Sequence, residues 1–222
     1  ESDEEFVRVA QLAEKLGYDS LLLAESWGRD HFTVLSLMAK NTSRILLGTS
    51  ITGLWARSPA ALAQTASSLD TMAGGRLILG LGTGNLLVVE QWHGIKPERP
   101  VRRMREFIEI MRMIWRGERM KYEGEIFKLD GTFTPAYKGP RDYIPIYIGA
   151  SGPKLTRLAG EISDGWMPTH VDIFKLDVLK SELDIGAQKA GRDPSNISIT
   201  PGIATVVSDN PGPARERAKG RL

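Results

Sequence analysis

Along almost its whole length the chain alternates one short apolar run with one amphipathic segment, and this alternation restricts the fold more than any single motif. The runs are Leu21 to Ala24, Ile45 to Ile51, Leu77 to Leu81, Ile144 to Ile148, Gly165 to Met167 and Asn196 to Val207. Apart from Asn196 to Val207, these runs have no polar residue at every second place, which suits strands covered on both faces. Helical signals fall between them. Ser2 with Glu5 forms a capping box ahead of a helix stopped by Gly17, and Phe32 to Lys40 has helical spacing. Ser58 and Pro59 read as N-cap and first residue of an Ala-rich helix that ends at Gly74-Gly75. Val101, Met104, Phe107, Ile108, Met111, Ile114 and Trp115 mark the longest helix, closed by Gly117. Leu155 to Ile162, Ile173 to Ala190 and a segment from Pro213 complete the set.

Single strands separated by single helices predict a parallel sheet, because only a crossover can return the chain to pair in the same direction. A doubly wound open sheet and a (β/α)8 barrel both satisfy that pattern. The 222 residues suit a single domain, 1–222, with an insertion at about 118–143 that holds a hairpin from Tyr122 to Leu129 and a Pro- and Gly-containing stretch from Gly131 to Tyr143. A barrel of ~250 residues needs a strand before Glu1 and another after Leu222. The expectation is therefore an α/β TIM barrel lacking its first and last strands.

Charge and composition narrow the function classes. With 29 Lys and Arg against 27 Asp and Glu, the net charge of +2 offers no electrostatic reason to expect nucleic acid or an anionic membrane as partner. The chain has no cysteine, so disulfides, thiolate metal sites and cysteine nucleophiles are excluded together. No apolar run approaches the ~20 residues of a membrane span, and the first residues are acidic where a signal peptide would be basic. A cytoplasmic protein is expected.

Two glycine-rich turns and a few side chains carry the chemical signal. Gly80-Leu81-Gly82-Thr83-Gly84 follows a strand, but Asn85 stands near where a dinucleotide fingerprint needs its third glycine, and no helix is expected before about Pro97. Its place at the C-terminal end of a parallel strand, where such sheets bind ligands, leaves a ligand site and a plain Gly-rich turn as equal alternatives. Gly149-Ala150-Ser151-Gly152-Pro153 joins a strand to a helix. Small residues there admit an anion to free N–H groups at the helix start, with a tight structural turn as the alternative. It is not a nucleophile elbow, since Pro153 occupies the place of the final glycine. His31, His93 and His170 lack ligand spacing, so no metal site is expected and each reads as a surface or loop histidine. Trp27, Trp55 and Trp92 fall just after expected strands. Glu25 and Asp30 are candidate acid–base or positioning groups, Asp30 with a helix-cap alternative.

Taken together, Leu21 to Ser26, Leu47 to Thr52, Ala66 to Gly84, Arg105-Glu106, Tyr122-Glu123-Gly124 and Ile144 to Pro168 resemble the bacterial luciferase-like superfamily. The likeness is greatest to its coenzyme F420-dependent branch, typified by methylenetetrahydromethanopterin reductase, and runs from about residue 6 to the C-terminus. The resemblance implies a (β/α)8 barrel with an insertion after one strand. It implies a strand bulge with a non-prolyl cis peptide at Ser50-Ile51, cofactor contacts from Ser50, Ile51, Thr52, Gly82, Thr83, Gly84 and Asn85, and a phosphate-binding turn at Gly149, Ala150, Ser151 and Gly152. By the same resemblance Glu25, at the acidic position that ends the second barrel strand, and Asn85 are the candidate catalytic residues. Asn85 replaces an Asp common in the reductases, and the first strand, which supplies an active-site carboxylate there, would precede Glu1.

The function expected from the resemblance is hydride transfer between coenzyme F420 and an organic substrate, by a homodimer. An FMN-dependent luciferase-like monooxygenase is one alternative. A non-catalytic flavin-binding protein with a shortened barrel is the other.

Overall fold

A computed structural model of the chain describes residues 2–169, 176–203 and 205–219. Its first half runs α1 (Asp3–Lys15), β1 (Ser20–Leu23), α2 (His31–Lys40), β2 (Leu46–Thr49), β3 (Thr52–Gly53), α3 (Pro59–Met72), β4 (Leu77–Gly82) and α4 (Leu86–Gln91). The second half runs α5 (Pro100–Arg116), β5 (Lys121–Glu123), β6 (Lys128–Asp130), β7 (Ile146–Gly149), α6 (Pro153–Ile162), β8 (Gly165–Met167), α7 (Leu176–Lys189), β9 (Ser198–Ile199) and α8 (Pro211–Lys219).

The main sheet is parallel, in the order β1-β2-β4-β7-β8-β9, with β3 beside β4. A doubly wound sheet reverses its strand order at a switch point, and this sheet never does. Each crossover advances the chain one place in the same direction, which is the winding of a (β/α)8 barrel. Among the described residues β1 and β9 are the outer strands and do not pair with each other, so the sheet stays an open part-barrel.

The expected signals build these elements. Ser2 accepts the N–H of Glu5 at 3.3 Å and Ser58 that of Ala61 at 3.1 Å, capping α1 and α3. Gly117 closes α5 at a φ of 72°, left-handed backbone that a side chain would strain. Leu47, Leu79, Leu81, Ile146, Ile148 and Trp166 are wholly buried between the layers of helix, as strands covered on both faces require. No described helix is long and apolar enough to cross a membrane.

Two buried carboxylates tie irregular segments to this frame. Asp70, wholly buried, accepts from Arg141 at 2.8 and 2.7 Å and from the N–H of Leu77 at 3.0 Å, fastening the segment before β7 to the start of β4. Glu106, on α5, accepts the N–H groups of Glu125, Ile126 and Phe127 at 2.9 to 3.0 Å and so holds the turn of the antiparallel β5–β6 hairpin. Gly124 is obligatory beside it, since a Cβ there would collide with the Glu106 carboxylate.

Four expectations need correction. The run from Ile45 to Ile51 is not one strand: β2 stops at Thr49, and pairing with β4 resumes only at Thr52 in β3. A helix, α4, opens directly after Asn85 rather than near Pro97; Leu86 to Val89 has no polar period to betray it. The run from Asn196 to Val207 contributes only Ser198–Ile199, because Pro194 begins a 3-10 turn and Pro201 lacks the N–H that a ladder needs. Ala204 within that run lies outside the described residues, as do His170 and the Ile173 start of the expected helix, whose described part is α7. Finally, His31 is no surface histidine: it is buried at the start of α2.

Candidate active site

At the C-terminal ends of β1, β2, β4 and β7 lies a cavity of about 850 Å³. Glu25, Ser50, Ile51, Gly82, Thr83, Gly84, Asn85, Gly149, Ala150, Ser151 and Gly152 all line it. Thr52 does not. It is wholly buried, and its hydroxyl oxygen sits 2.8 Å from Nε2 of His31. Neighbouring residues of an extended chain face opposite ways, so placing Ile51 on the cavity turns Thr52 into the wall.

The floor of the cavity is the interruption between β2 and β3. The Ser50–Ile51 peptide is cis, as the resemblance implies. The chain is held on the β1 side by the Ser50 N–H, which donates to Leu23 at 2.8 Å, and by the Ile51 carbonyl, which accepts from Glu25 at 3.1 Å. The Ile51 side chain lies across two bare strand ends. A Cβ on Gly82 would approach it to 2.8 Å and one on Gly149 to 2.7 Å, so both glycines make room for this ridge.

Glu25 leaves the end of β1 into a charged cluster. One carboxylate oxygen accepts the Gly53 N–H at 2.7 Å, and the other is paired with Arg57. Arg57 also reaches Asp30 at 3.0 Å and lies over the Phe32 ring at 5.1 Å. Asp30 caps α2 by accepting the Thr33 N–H and hydroxyl, both at 2.8 Å. Burial raises the Asp30 pKa, but these two bonds outweigh it, with His31 and Arg57 adding to them, and the net shift is downward. Burial likewise lowers the His31 pKa, against the pull of Glu25 at 3.9 Å, so its imidazole is held neutral. With both oxygens engaged, Glu25 is arranged to brace β3 against β1 and to carry a neutralised charge at the cavity edge.

The opposite end of the cavity is built for a negative group. Gly152 is the N-cap of α6 and provides no side-chain cap, while Pro153 follows as the first helical residue. The open N–H groups of that turn and the positive end of the helix dipole face the same cavity as Lys154, which sequence reasoning missed. Pro100, Val101, Leu155 and Thr169 line it as well. Ser151 is already committed: its hydroxyl donates to the Thr169 carbonyl at 2.5 Å. Asn85 is committed in part, because its side-chain oxygen accepts the Leu87 N–H at 2.8 Å and caps α4.

A family model described as luciferase-like monooxygenase matches residues 2–222. The chain belongs to the luciferase-like monooxygenase family. Among its relatives, a 5,10-methylenetetrahydromethanopterin reductase of Archaeoglobus fulgidus is 37% identical over 183 residues, covering 82% of this chain and 54% of the reductase. The chain therefore spans about half the length of that curated relative. The solved coenzyme F420-dependent tetrahydromethanopterin reductase of Methanopyrus kandleri superposes with a TM-score of 0.89 at 25% identity, covering 99% of this chain and 67% of the other. An F420-dependent secondary alcohol dehydrogenase, solved with an F420-acetone adduct, gives a TM-score of 0.87 at 27% identity, covering 97% of this chain and 69% of the other.

In this member of the luciferase-like family a second compartment, of about 120 Å³, adjoins the first. It shares Glu25, Ile51, Gly84 and Asn85 with the main cavity and extends under Trp27, Trp55, Val88, Val89 and His93. Trp55 is buried and its indole N–H donates to Thr83 at 2.8 Å, whereas Trp27 is 68% exposed. The position of Trp27 after a strand was the available signal for this compartment. His93 could not be picked out, because the helix that presents it was not expected.

Proposed function

We propose that this chain forms the cofactor-binding part of an oxidoreductase that passes a hydride between coenzyme F420 and an organic substrate, and that it works as a homodimer. The observation that carries the reading is the two-ended cavity: an apolar ridge flanked by bare glycines at one end, an uncapped helix start with a lysine at the other. Its volume falls in the usual range for a cofactor site. The ridge of Ile51 over Gly82 and Gly149 would support one face of a flat ring. The turn from Gly149 to Gly152, with the first turn of α6 and Lys154, would take a phosphate. When bound, the deazaflavin supplies the hydride chemistry, and the chain's share is to hold the ring, orient it and keep water away. The F420-dependent names of the Methanopyrus kandleri reductase and of the secondary alcohol dehydrogenase support this choice of cofactor.

The family's own description favours a second reading, an FMN-dependent monooxygenase. Titration of the purified chain with coenzyme F420 and with FMN, followed by fluorescence, separates the two. Saturable binding of coenzyme F420, weak binding of FMN and turnover indifferent to oxygen are expected. Tight FMN binding with oxygen-dependent substrate oxidation would overturn the proposal. Tight binding of either cofactor with no turnover of any substrate would favour the non-catalytic reading.

A further inference from the structure

Helix α5 carries five arginines, and four of them meet a carboxylate. Arg102 reaches Glu106 at 3.2 Å and pairs with Glu125, Arg105 pairs with Glu161, Arg112 lies 3.9 Å from Asp164, and Arg116 pairs with Glu118. Arg103 is the exception. It makes no hydrogen bond or ion pair among the described residues, and its Nε is buried without a partner. A guanidinium offers five N–H donors, so an idle buried one is a cost that some other contact must offset. Burial lowers the Arg103 pKa, and the charge of Glu106 opposes that shift.

The contacts that Arg103 does make are with two aromatic rings. Its guanidinium carbon lies 5.0 Å from the centre of the Trp55 ring and 5.1 Å from that of Phe127, where a ring face attracts a cation. The two rings come from distant parts of the fold. Phe127 sits between β5 and β6; its N–H donates to Glu106 at 3.0 Å and its ring meets Phe107 edge-on, 6.1 Å between centres. Trp55 follows β3 and walls the side compartment, and its indole N–H bond to the Thr83 carbonyl is the one hydrogen bond of Thr83 among the described residues. Thr83 stands between Gly82 and Gly84 on the wall of the main cavity, so little else fixes its carbonyl. No described residue of the β5–β6 hairpin lines either compartment.

Resting on the oxidoreductase reading above, we infer that Arg103 is a positioning residue for the cofactor cavity: by bridging Phe127 to Trp55 it lets the β5–β6 hairpin fix the Trp55 ring, and with it the Thr83 carbonyl, where the two compartments adjoin. A planar guanidinium lies flat on a ring and sets its orientation. A neutral side chain of similar length fills the same space without that orienting pull.

Fluorescence titration of the purified chain with coenzyme F420 tests this. Arg103→Met should weaken affinity about fivefold while the melting temperature stays within a few degrees of wild type. Arg103→Lys, which keeps the cation, should recover part of the loss, and Phe127→Leu should weaken affinity by a similar factor. In a Trp55→Phe background, where the bond to Thr83 is already gone, Arg103→Met should change affinity by less than about twofold. A second cycle leaves Trp55 in place: Arg103→Met and Phe127→Leu together should weaken affinity no more than either alone. In the free chain, Arg103→Met should raise acrylamide quenching of Trp55, read as the difference between each protein and its Trp55→Phe counterpart. Unchanged affinity in both single variants, factors that multiply in both cycles, or unchanged quenching would overturn the inference and leave the cofactor reading standing. A melting temperature lowered by more than ~10 °C in Arg103→Met and Arg103→Lys alike would make Arg103 a residue of stability alone and overturn it too. If wild type binds FMN and not coenzyme F420, the cofactor reading falls and the same cycles on FMN decide the inference. A wild type that binds neither overturns both.

Discussion

Glu14 sits in the last turn of α1, where a carboxylate opposes the helix dipole, yet one of its oxygens accepts the N–H groups of Ser43, Arg44 and Ile45 at 2.9, 2.6 and 2.9 Å. Those bonds, from Ile45 and Arg44 above all, hold its pKa down to about 2 from 4.5. A depressed folded-state pKa means that the stabilisation is complete above the unfolded value and is lost as pH falls through the folded one. Glu14→Gln should therefore lower stability at neutral pH by about 1 kcal/mol, a figure discounted for the solvent around this partly exposed carboxylate. The difference from wild type should shrink between pH ~4.5 and ~2, as urea melts at a series of pH values would show. A constant difference across that window would sink the account. Residue types at the site were legible, because glycines at strand ends and an acid after a strand are rare enough to read. Their commitments were not: that Thr52 turns to His31, or that Ser151 gives its hydroxyl to Thr169, depends on partners far along the chain.

At the scale of elements, the start of α6 and the hairpin on α5 make opposite uses of backbone N–H groups. The first turn of α6 leaves its donors open to the cavity, and Gly152 leaves room in front of them, since nothing lies within 4 Å of a Cβ built there. Gly152→Asp should fold normally, cap the helix with its own carboxylate and weaken coenzyme F420 binding at least tenfold, measured by fluorescence titration, because it places a negative charge where a phosphate would sit. Unchanged affinity would move the phosphate elsewhere. The hairpin has its three turn N–H groups satisfied by Glu106. Glu106→Ala should cost about 3 kcal/mol in chemical denaturation, since it strands buried donors and loses a buried charge-assisted cluster; a loss below 1 kcal/mol would mean that the turn finds other partners. Strands and long helices of this fold could be read from the sequence because burial on both faces and a 3.6-residue period leave plain patterns. The short α4 could not, as six residues hold too little period, and the split of β2 from β3 was legible only through family likeness.

For the whole molecule, strand order is the property that local pattern could not decide, since a doubly wound sheet and a barrel share the same alternation. The monotonic order from β1 to β9 settles it, and it also leaves the outer edge of β1 without a strand among the described residues. Asp19 and Leu23 give their carbonyls to β2, accepting from Leu46 at 3.0 Å and Ser50 at 2.8 Å, so the alternation of a parallel ladder turns the backbone groups of Ser20 and Leu22 outward. Nearby, α1 exposes Val9 and Leu12, followed by Leu16 and Tyr18. That apolar surface gives the proposed dimer a physical route. The chain should self-associate as its concentration rises, measured by sedimentation velocity. Leu12→Glu puts a charge on that exposed surface and should shift the equilibrium toward monomer with little loss of fold. Association left untouched by this change would assign the contact to a different face.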